Sequence, residues 1–382
     1  MRKNKILSLL CAGAIAVTCS CNDTVTTVDS ISVLSPDGSR TVSLNNSEVT
    51  DYVNNYYLGS SLNYLDKTKG DHYFPEPVEV KWVGEKNGSY LVSVSEKEDF
   101  SDSRTYTTTS PELKIENLYG GQKYFYKIED TVNGKTSGVK TFGTKKAPRT
   151  LKIDGVSNTR DIGGYDVSGK RVKQGMVYRG ATPENISEEG KKTFAGLGLK
   201  TIIDLRGAAE RKRNFSDINY VELPEKGGPY YASGDRNFTM PEYIPALIQS
   251  LKVFANADNY PIYFHCQIGR DRTGTLAFIL NGLLGADYGD LCMDYELSCF
   301  SEAGCLDYDD KTKQVERKVS NTEGMRIYFG KYATAKKYDG DDAFRFGLEA
   351  FLLDNGLTQR EISAIRDIML KYSVNKNEFI SK

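Results

Sequence analysis

A mixed α/β domain with a mainly parallel sheet flanked by helices, preceded by a small all-β sandwich, is the architecture this sequence predicts. Three observations carry it. Over 75–146, short runs alternate apolar and polar residues between turn residues, the period-two mark of half-buried strands. Beyond 150, short apolar runs alternate with helix-like segments, the pattern of strands joined by helical crossovers. The third is His265-Cys266-Gln267-Ile268-Gly269-Arg270-Asp271-Arg272-Thr273-Gly274, set between an apolar strand and an apolar helix. Strand, tight loop and helix N-terminus together bind anions, because first-turn amides have no partner inside the helix.

The chain opens with a basic stretch, Met1-Arg2-Lys3-Asn4-Lys5, and an apolar run over 6–17 that is too short to span a bilayer. Small residues then precede a cysteine in Val17-Thr18-Cys19-Ser20-Cys21. This resembles a bacterial lipoprotein box, with Cys21 the residue lipidated and Cys19 the runner-up. On that reading 1–21 is a signal peptide, and the mature protein is lipid-anchored in the cell envelope, or secreted if the box is not used. Residues 22–74 are rich in Ser, Thr and Asn and read as a polar stalk with one helix over 47–57.

The sandwich is expected over 75–146, with about seven strands. Runs at 78–82, 90–94, 113–115 and 124–128 show the alternation. Lys145-Lys146-Ala147-Pro148-Arg149 reads as a linker, and the α/β domain follows over 150–382. Ser187 caps a short helix, and strands are expected at 201–205 and 220–223. A helix begins near Thr239 with Ile244, Leu247, Leu251 and Phe254 on one face. The strand over 261–264 and the helix over 273–284 flank the loop. Residues 302–341 are polar and long for a connection, so they read as a lid or insertion beside the cleft.

The loop carries chemistry. A helix N-terminus and a nearby guanidinium favour thiolate over thiol, so Cys266 is the candidate nucleophile. Arg272 can grip two phosphate oxygens in a bidentate fork, which Lys cannot. The Thr273 hydroxyl can donate to the sulfur. Residues Gln267, Ile268, Gly269, Arg270, Asp271 and Arg272 would form a nest of amides around a phosphate. His265 is expected to support the loop by hydrogen bonding. The scheme needs no cofactor or metal, and two His residues are too few for a His-based metal site. A formal net charge of −1 provides no global basic field to gather nucleic acid.

These residues resemble the cysteine-dependent protein tyrosine and dual-specificity phosphatases, in the bacterial branch that includes secreted mycobacterial and listerial enzymes. The loop is accompanied by Asn158-Thr159-Arg160-Asp161-Ile162-Gly163-Gly164, Val177-Tyr178-Arg179-Gly180, Ile203-Asp204-Leu205-Arg206 and Asp294-Tyr295-Glu296-Leu297-Ser298. The likeness covers roughly 151–371. It implies a phosphotyrosine-phosphatase-like fold and hydrolysis of phosphomonoesters through a phosphocysteine. It also implies a general acid, which in this branch is the Asp inside the loop, here Asp271. Asp235 and Asp204 remain alternatives. Many relatives carry Lys where this chain has Arg270, so the substrate is expected to be a phosphorylated protein or a phosphoinositide. The β domain resembles a fibronectin type III module, with Trp82 as its core tryptophan and 118–124 as its tyrosine corner. The non-enzymatic alternative is an envelope binding or adhesion lipoprotein whose functional part is the β module. Cys292 reads as core. Cys299 and Cys305 are candidates for a disulfide, or for a mixed disulfide that protects Cys266.

Overall fold

The computed structural model describes residues 30–38, 40–67, 75–146, 148–221, 223, 238, 242–301, 307–308, 315–316 and 322–372. The leader with Cys19 and Cys21, the acid candidate Asp235 and the disulfide candidate Cys305 lie outside them.

Two sheets share one core in the N-terminal part. One runs in the order Val33–Ser35, Val78–Trp82, Glu112–Ile115; the other in the order Thr41–Val42, Lys140–Thr144, Lys123–Asp130, Tyr90–Ser95, Arg104–Thr108. Alternation places Val78, Val80 and Trp82 from the first sheet against Val92, Tyr126, Ile128 and Phe142 from the second, as the period of two requires. The Tyr124 hydroxyl accepts from the Tyr119 amide at 2.8 Å, pinning the turn five residues upstream.

This sandwich starts earlier than the expected boundary at 75. Strands Val33–Ser35 and Thr41–Val42 belong to it, so 22–74 is not a bare stalk. Helix Ser47–Asn54 packs Val49 and Tyr52, together with Tyr64, onto Leu297, Cys299 and Phe300 of the α/β domain. At this seam Glu296 is fully buried. It accepts from the Gly59 amide at 2.9 Å, the Ser61 hydroxyl at 3.1 Å and the Tyr52 hydroxyl at 3.3 Å. A short amphipathic helix does not announce a partner some 240 positions away, which is why its docking was not legible.

The linker reading also fails at its last residue. Arg149 is buried and begins the edge strand Arg149–Thr150. Its guanidinium pairs with Asp161 at 2.8 Å and donates to the carbonyls of Leu118 and Asn117, at 2.9 and 2.6 Å. Gln174 exchanges two bonds with Gly120, at 3.0 and 2.8 Å. The two domains are therefore joined by buried polar contacts as well as by the chain.

The α/β domain holds a six-stranded sheet in the order Asn219–Val221, Thr201–Asp204, Ile262–His265, Val177–Gly180, Arg160–Asp161, Arg149–Thr150. The first four strands pair in parallel, and Arg160–Asp161 pairs antiparallel with both Val177–Gly180 and Arg149–Thr150. Strands buried on both faces carry adjacent apolar residues, as Ile202-Ile203 and Ile262-Tyr263-Phe264 do. Ile203, Ile262 and Phe264 face helices Tyr243–Phe254, Asp271–Leu284, Ala343–Asp354 and Gln359–Met369. Ile202 and Tyr263 face Phe194 of helix Glu188–Gly196.

Part of the segment read as a lid is core instead. Thr322–Ala335 is a helix whose Met325, Phe329 and Ala333 are fully buried. Its apolar stripe is only three residues wide at spacing four, too thin to stand out among Tyr and Gly. Among the described residues, no helix is long and apolar enough to cross a membrane.

Burial raises the Glu296 carboxyl above its usual range, against the bonds from Gly59, Ser61 and Tyr52 that lower it. A raised folded value means that its contribution is fully present below the unfolded value and is lost as pH rises through the folded one. Glu296→Gln keeps an acceptor without the charge, so it is expected to gain stability relative to wild type as pH rises above the ordinary carboxyl range. Glu296→Ala strands three donors and opens a cavity; a loss of about 2–4 kcal/mol is expected, read from urea midpoints. An unchanged midpoint would show that the seam carries no stability.

Candidate active site

Strand Ile262–His265 lies between Thr201–Asp204 and Val177–Gly180, paired in parallel with both. The loop therefore leaves the carboxyl edge of the sheet near its centre, where α/β sheets place their ligands. It enters helix Asp271–Leu284, in which every residue from Arg272 onward is buried. A helix buried on all sides holds its N-terminus in a fixed position.

The loop carbonyls are all turned outward. Gln267 accepts from the Thr182 amide at 3.1 Å and Ile268 from the Asn158 side chain at 2.9 Å. Gly269 and Arg270 accept from the Arg179 guanidinium at 2.8 and 3.4 Å. In a trans peptide the N–H following a carbonyl points the opposite way. The amides of residues 268–271 therefore face the other side of the loop, an arrangement that can serve as a nest for an anion. Gly269 makes the turn with φ of +72°, and a Cβ there would stand 2.4 Å from the Gly180 carbonyl carbon. No other residue fits.

Cys266 is a free thiol, 2% exposed, at the floor of this loop. His265 Nδ1 lies 3.0 Å from the Cys266 carbonyl oxygen. A carbonyl only accepts, so Nδ1 carries the proton. Burial lowers the His265 pKa, against Asp204, and keeps the ring neutral. Arg272 Nη1 lies 3.2 Å from Glu210 and 3.4 Å from the Leu205 carbonyl. Thr273 is fully buried, and its hydroxyl has no hydrogen-bond partner among the described residues.

The three acid candidates differ in placement. Asp271 opens the loop helix, with its carboxylate 3.2 Å from the Tyr295 hydroxyl and 3.1 Å from Arg270 Nε. Asp204 is buried in a two-pronged pair with Arg206, Nε and Nη2 lying 3.0 and 2.8 Å from its two oxygens. Burial works against its ionisation, but the hydrogen bonds from Arg206 outweigh that and hold the carboxyl below the usual range. Asp235 lies outside the described residues. Arg206 also reaches Glu184 at 2.7 Å and the Gln267 side chain at 3.1 Å. Gln267 thus faces the rim and Arg206. Arg270 is turned onto Asp271 and is nearly buried.

Sequence reasoning did not assign the framework beneath the loop. Arg160 and Arg179 are fully buried and both bind Asp294, Arg160 through Nε at 2.8 Å. Asn158 links the two levels: its oxygen accepts from Arg160 at 2.6 Å while its amide nitrogen holds Ile268. The only signal was the presence of charged residues inside motifs otherwise built for burial. Cys292 is buried near the Thr322 hydroxyl, as a core thiol. Cys299 is disulfide-bonded, so its sulfur is not available to protect Cys266.

Burial opposes ionisation of Asp294, but Arg160 and Arg179 overcome it and hold the carboxyl well down. Asp294→Asn would leave two buried guanidiniums sharing no carboxylate. A loss of about 3–5 kcal/mol is expected in chemical denaturation, and a loss under about 1 kcal/mol would mean the loop does not depend on this charge. Gly269→Ala is expected to keep the fold by circular dichroism yet lose inorganic phosphate binding by calorimetry.

A model of the tyrosine phosphatase family matches residues 151–371. A candidate tyrosine-protein phosphatase of Cupriavidus necator is 26% identical over 175 residues, covering 38% of this chain and 61% of its own length. A second, from Dictyostelium discoideum, is 30% identical over 109 residues, covering 28% and 61%. The chain thus spans less than two thirds of either relative. A solved core catalytic domain of a PP-IP phosphatase from S. cerevisiae, in complex with citrate, is 18% identical. The match covers 50% of this chain and 94% of that one, with a TM-score of 0.28, too low to support any inference. The family match extends over more than half of the chain and contains the whole Cys266 loop, and on that ground this chain belongs to the tyrosine phosphatase family.

Proposed function

We propose that this chain hydrolyses phosphomonoesters, with phosphotyrosine in proteins as the leading substrate, through a phosphocysteine on Cys266. The observation that carries this is the outward turn of four consecutive loop carbonyls, which leaves the amides of residues 268–271 facing the other side of a loop that starts from a buried thiol. Inward amides, a helix N-terminus and Arg272 supply the positive field that a phosphate dianion needs.

Cys266 Sγ attacks phosphorus, and the bond to the leaving oxygen breaks. Asp271 gives its proton to that oxygen. Arg272 exchanges its resting contact with Glu210 for two phosphate oxygens, and the Thr273 hydroxyl donates to the sulfur. Water then attacks phosphorus, the S–P bond breaks and the water's proton passes to Asp271. Asp271 is preferred as the acid because it stands at the loop mouth, oriented by Tyr295. Asp204 is disfavoured, since both of its oxygens are held by the Arg206 guanidinium. Asp235 stays open as an alternative.

The signal peptide, lipidation of Cys21 and location in the cell envelope belong to the same proposal. So does a fibronectin type III-like spacer, supported by the two-sheet core and the Tyr124 corner bond. The alternative of a binding lipoprotein without catalysis gains nothing from a site whose Cys266, Asp271 and Arg272 are all in place.

Phosphate release from an aryl phosphate and a phosphotyrosine peptide is expected to be unaffected by EDTA and abolished in Cys266→Ser. Persistence in that variant would end the cysteine mechanism. An acid is needed most where the leaving group is poor. Asp271→Asn is expected to lower turnover of the phosphotyrosine peptide about 100-fold or more, and that of a nitrophenyl ester much less. If Asp235→Asn shows that split instead, Asp235 is the acid.

A further inference from the structure

We infer that the β domain carries a binding site for a neutral sugar unit, in a cavity of about 220 Å3 lined by Glu96, Asp102, Arg104 and Tyr119. The cavity opens at one end of the sandwich, where Arg104 begins the edge strand Arg104–Thr108 and pairs with Val94. Val94, Leu118 and Tyr124 belong to the core of the domain and also line the cavity, which gives it an apolar floor. The inference is independent of the chemistry at Cys266.

The polar wall is held in place by the fold. Gln122 Nε2 donates to one Glu96 oxygen at 3.0 Å, and the Ser95 hydroxyl donates to Asp102. Each bond orients a carboxylate and leaves it lone pairs for a ligand. The Tyr119 backbone is fixed at both ends. Its amide donates to the Tyr124 hydroxyl at 2.8 Å, and its carbonyl accepts from the Thr144 hydroxyl at 2.7 Å. Arg149 lies over the Tyr119 ring, 4.2 Å from its centroid. Arg104 is exposed, and among the described residues no hydrogen bond or ion pair engages its guanidinium. Groups already oriented lose little freedom when a ligand arrives.

The mixture of charges sets the ligand. Two carboxylates and one guanidinium line the same small space. An anion would suit Arg104 but meet like charge at Glu96 and Asp102; an amine would suit the carboxylates but meet like charge at Arg104. A zwitterionic amino acid would leave one carboxylate unanswered. A hydroxyl both donates and accepts. Neighbouring hydroxyls of a sugar can therefore donate to both carboxylates and accept from Arg104, in charge-assisted bonds. The C–H face of the sugar ring then has Tyr119 and the apolar floor to pack on. The cavity is smaller than the roughly 300–1,000 Å3 of sites that enclose drug-sized ligands, so it suits one ring rather than a chain of them. Burial raises the Glu96 carboxyl above its usual range, against Arg104, and donors from a ligand would favour its ionised form.

The test is saturation-transfer NMR on the 382-residue chain with glucose, galactose, mannose and N-acetylglucosamine, and with glycine and putrescine as the zwitterion and the amine. At least one sugar is expected to bind, and more tightly than glycine or putrescine. Arg104→Ala and Glu96→Gln are each expected to weaken that sugar about tenfold. Binding of none of the four sugars, tighter binding of glycine or putrescine than of every sugar, or sugar binding unchanged in either variant overturns the site. If Glu96→Gln does not fold by circular dichroism, Arg104→Ala decides alone, because that side chain is exposed. Both variants are expected to hydrolyse an aryl phosphate at the wild-type rate. Sugar binding is expected to be unchanged in Cys266→Ser, so a chain without phosphatase turnover ends that reading and leaves the sugar site standing or falling on its own result.

Discussion

One buried carboxylate underlies the active loop. Asp294 sits between Arg160 and Arg179, all three shielded from water. A buried pair of this kind is poor evidence of net stability, since desolvation consumes much of the Coulombic gain. What it provides is position. With Asp294 holding its guanidinium, Arg179 aims Nη2 at the carbonyls of Gly269 and Arg270. Those carbonyls turn outward, and so their amides turn inward. The set of the loop backbone is therefore a consequence of charge buried one layer below it.

The same helix end does two further things. Tyr295, next to Asp294, orients Asp271 and packs so tightly on Gly274 that a Cβ there would come within 2.4 Å of its ring. Glu296 faces the opposite way and clamps the N-terminal helix through Gly59, Ser61 and Tyr52. Three consecutive side chains thus tie the loop base, the acid candidate and the N-terminal segment to one rigid turn. Together with Arg149 and Gln174 at the other seam, they make the β domain a braced attachment to the α/β domain.

The chemistry of the site was legible in local sequence because it is local. Cys266, Gly269, Arg272 and Thr273 lie within eight residues, and a strand and a helix on either side suffice to infer an anion loop. The internal strands of both sheets were legible for the same reason, since burial on one face or two imposes a period on every few residues. Arg104–Thr108, with its Thr-rich and largely exposed faces, and the two-residue Thr41–Val42 carry no such period. They exist because a neighbouring strand offers its hydrogen bonds.

By itself, the sequence determined the parallel part of the sheet and the strand–loop–helix that carries Cys266, Gly269 and Arg272. Each of these follows from short-range periodicity or from residues adjacent in the chain. Only the tertiary structure decided what holds that loop in shape, why Asp204 is an ion-pair partner of Arg206, that Arg270 is turned onto Asp271, and where 47–67 docks. Each of these depends on which charges share a dry environment. Nothing in the local pattern of Arg160, Arg179 and Asp294 says that residues more than a hundred positions apart will be neutralised by one another.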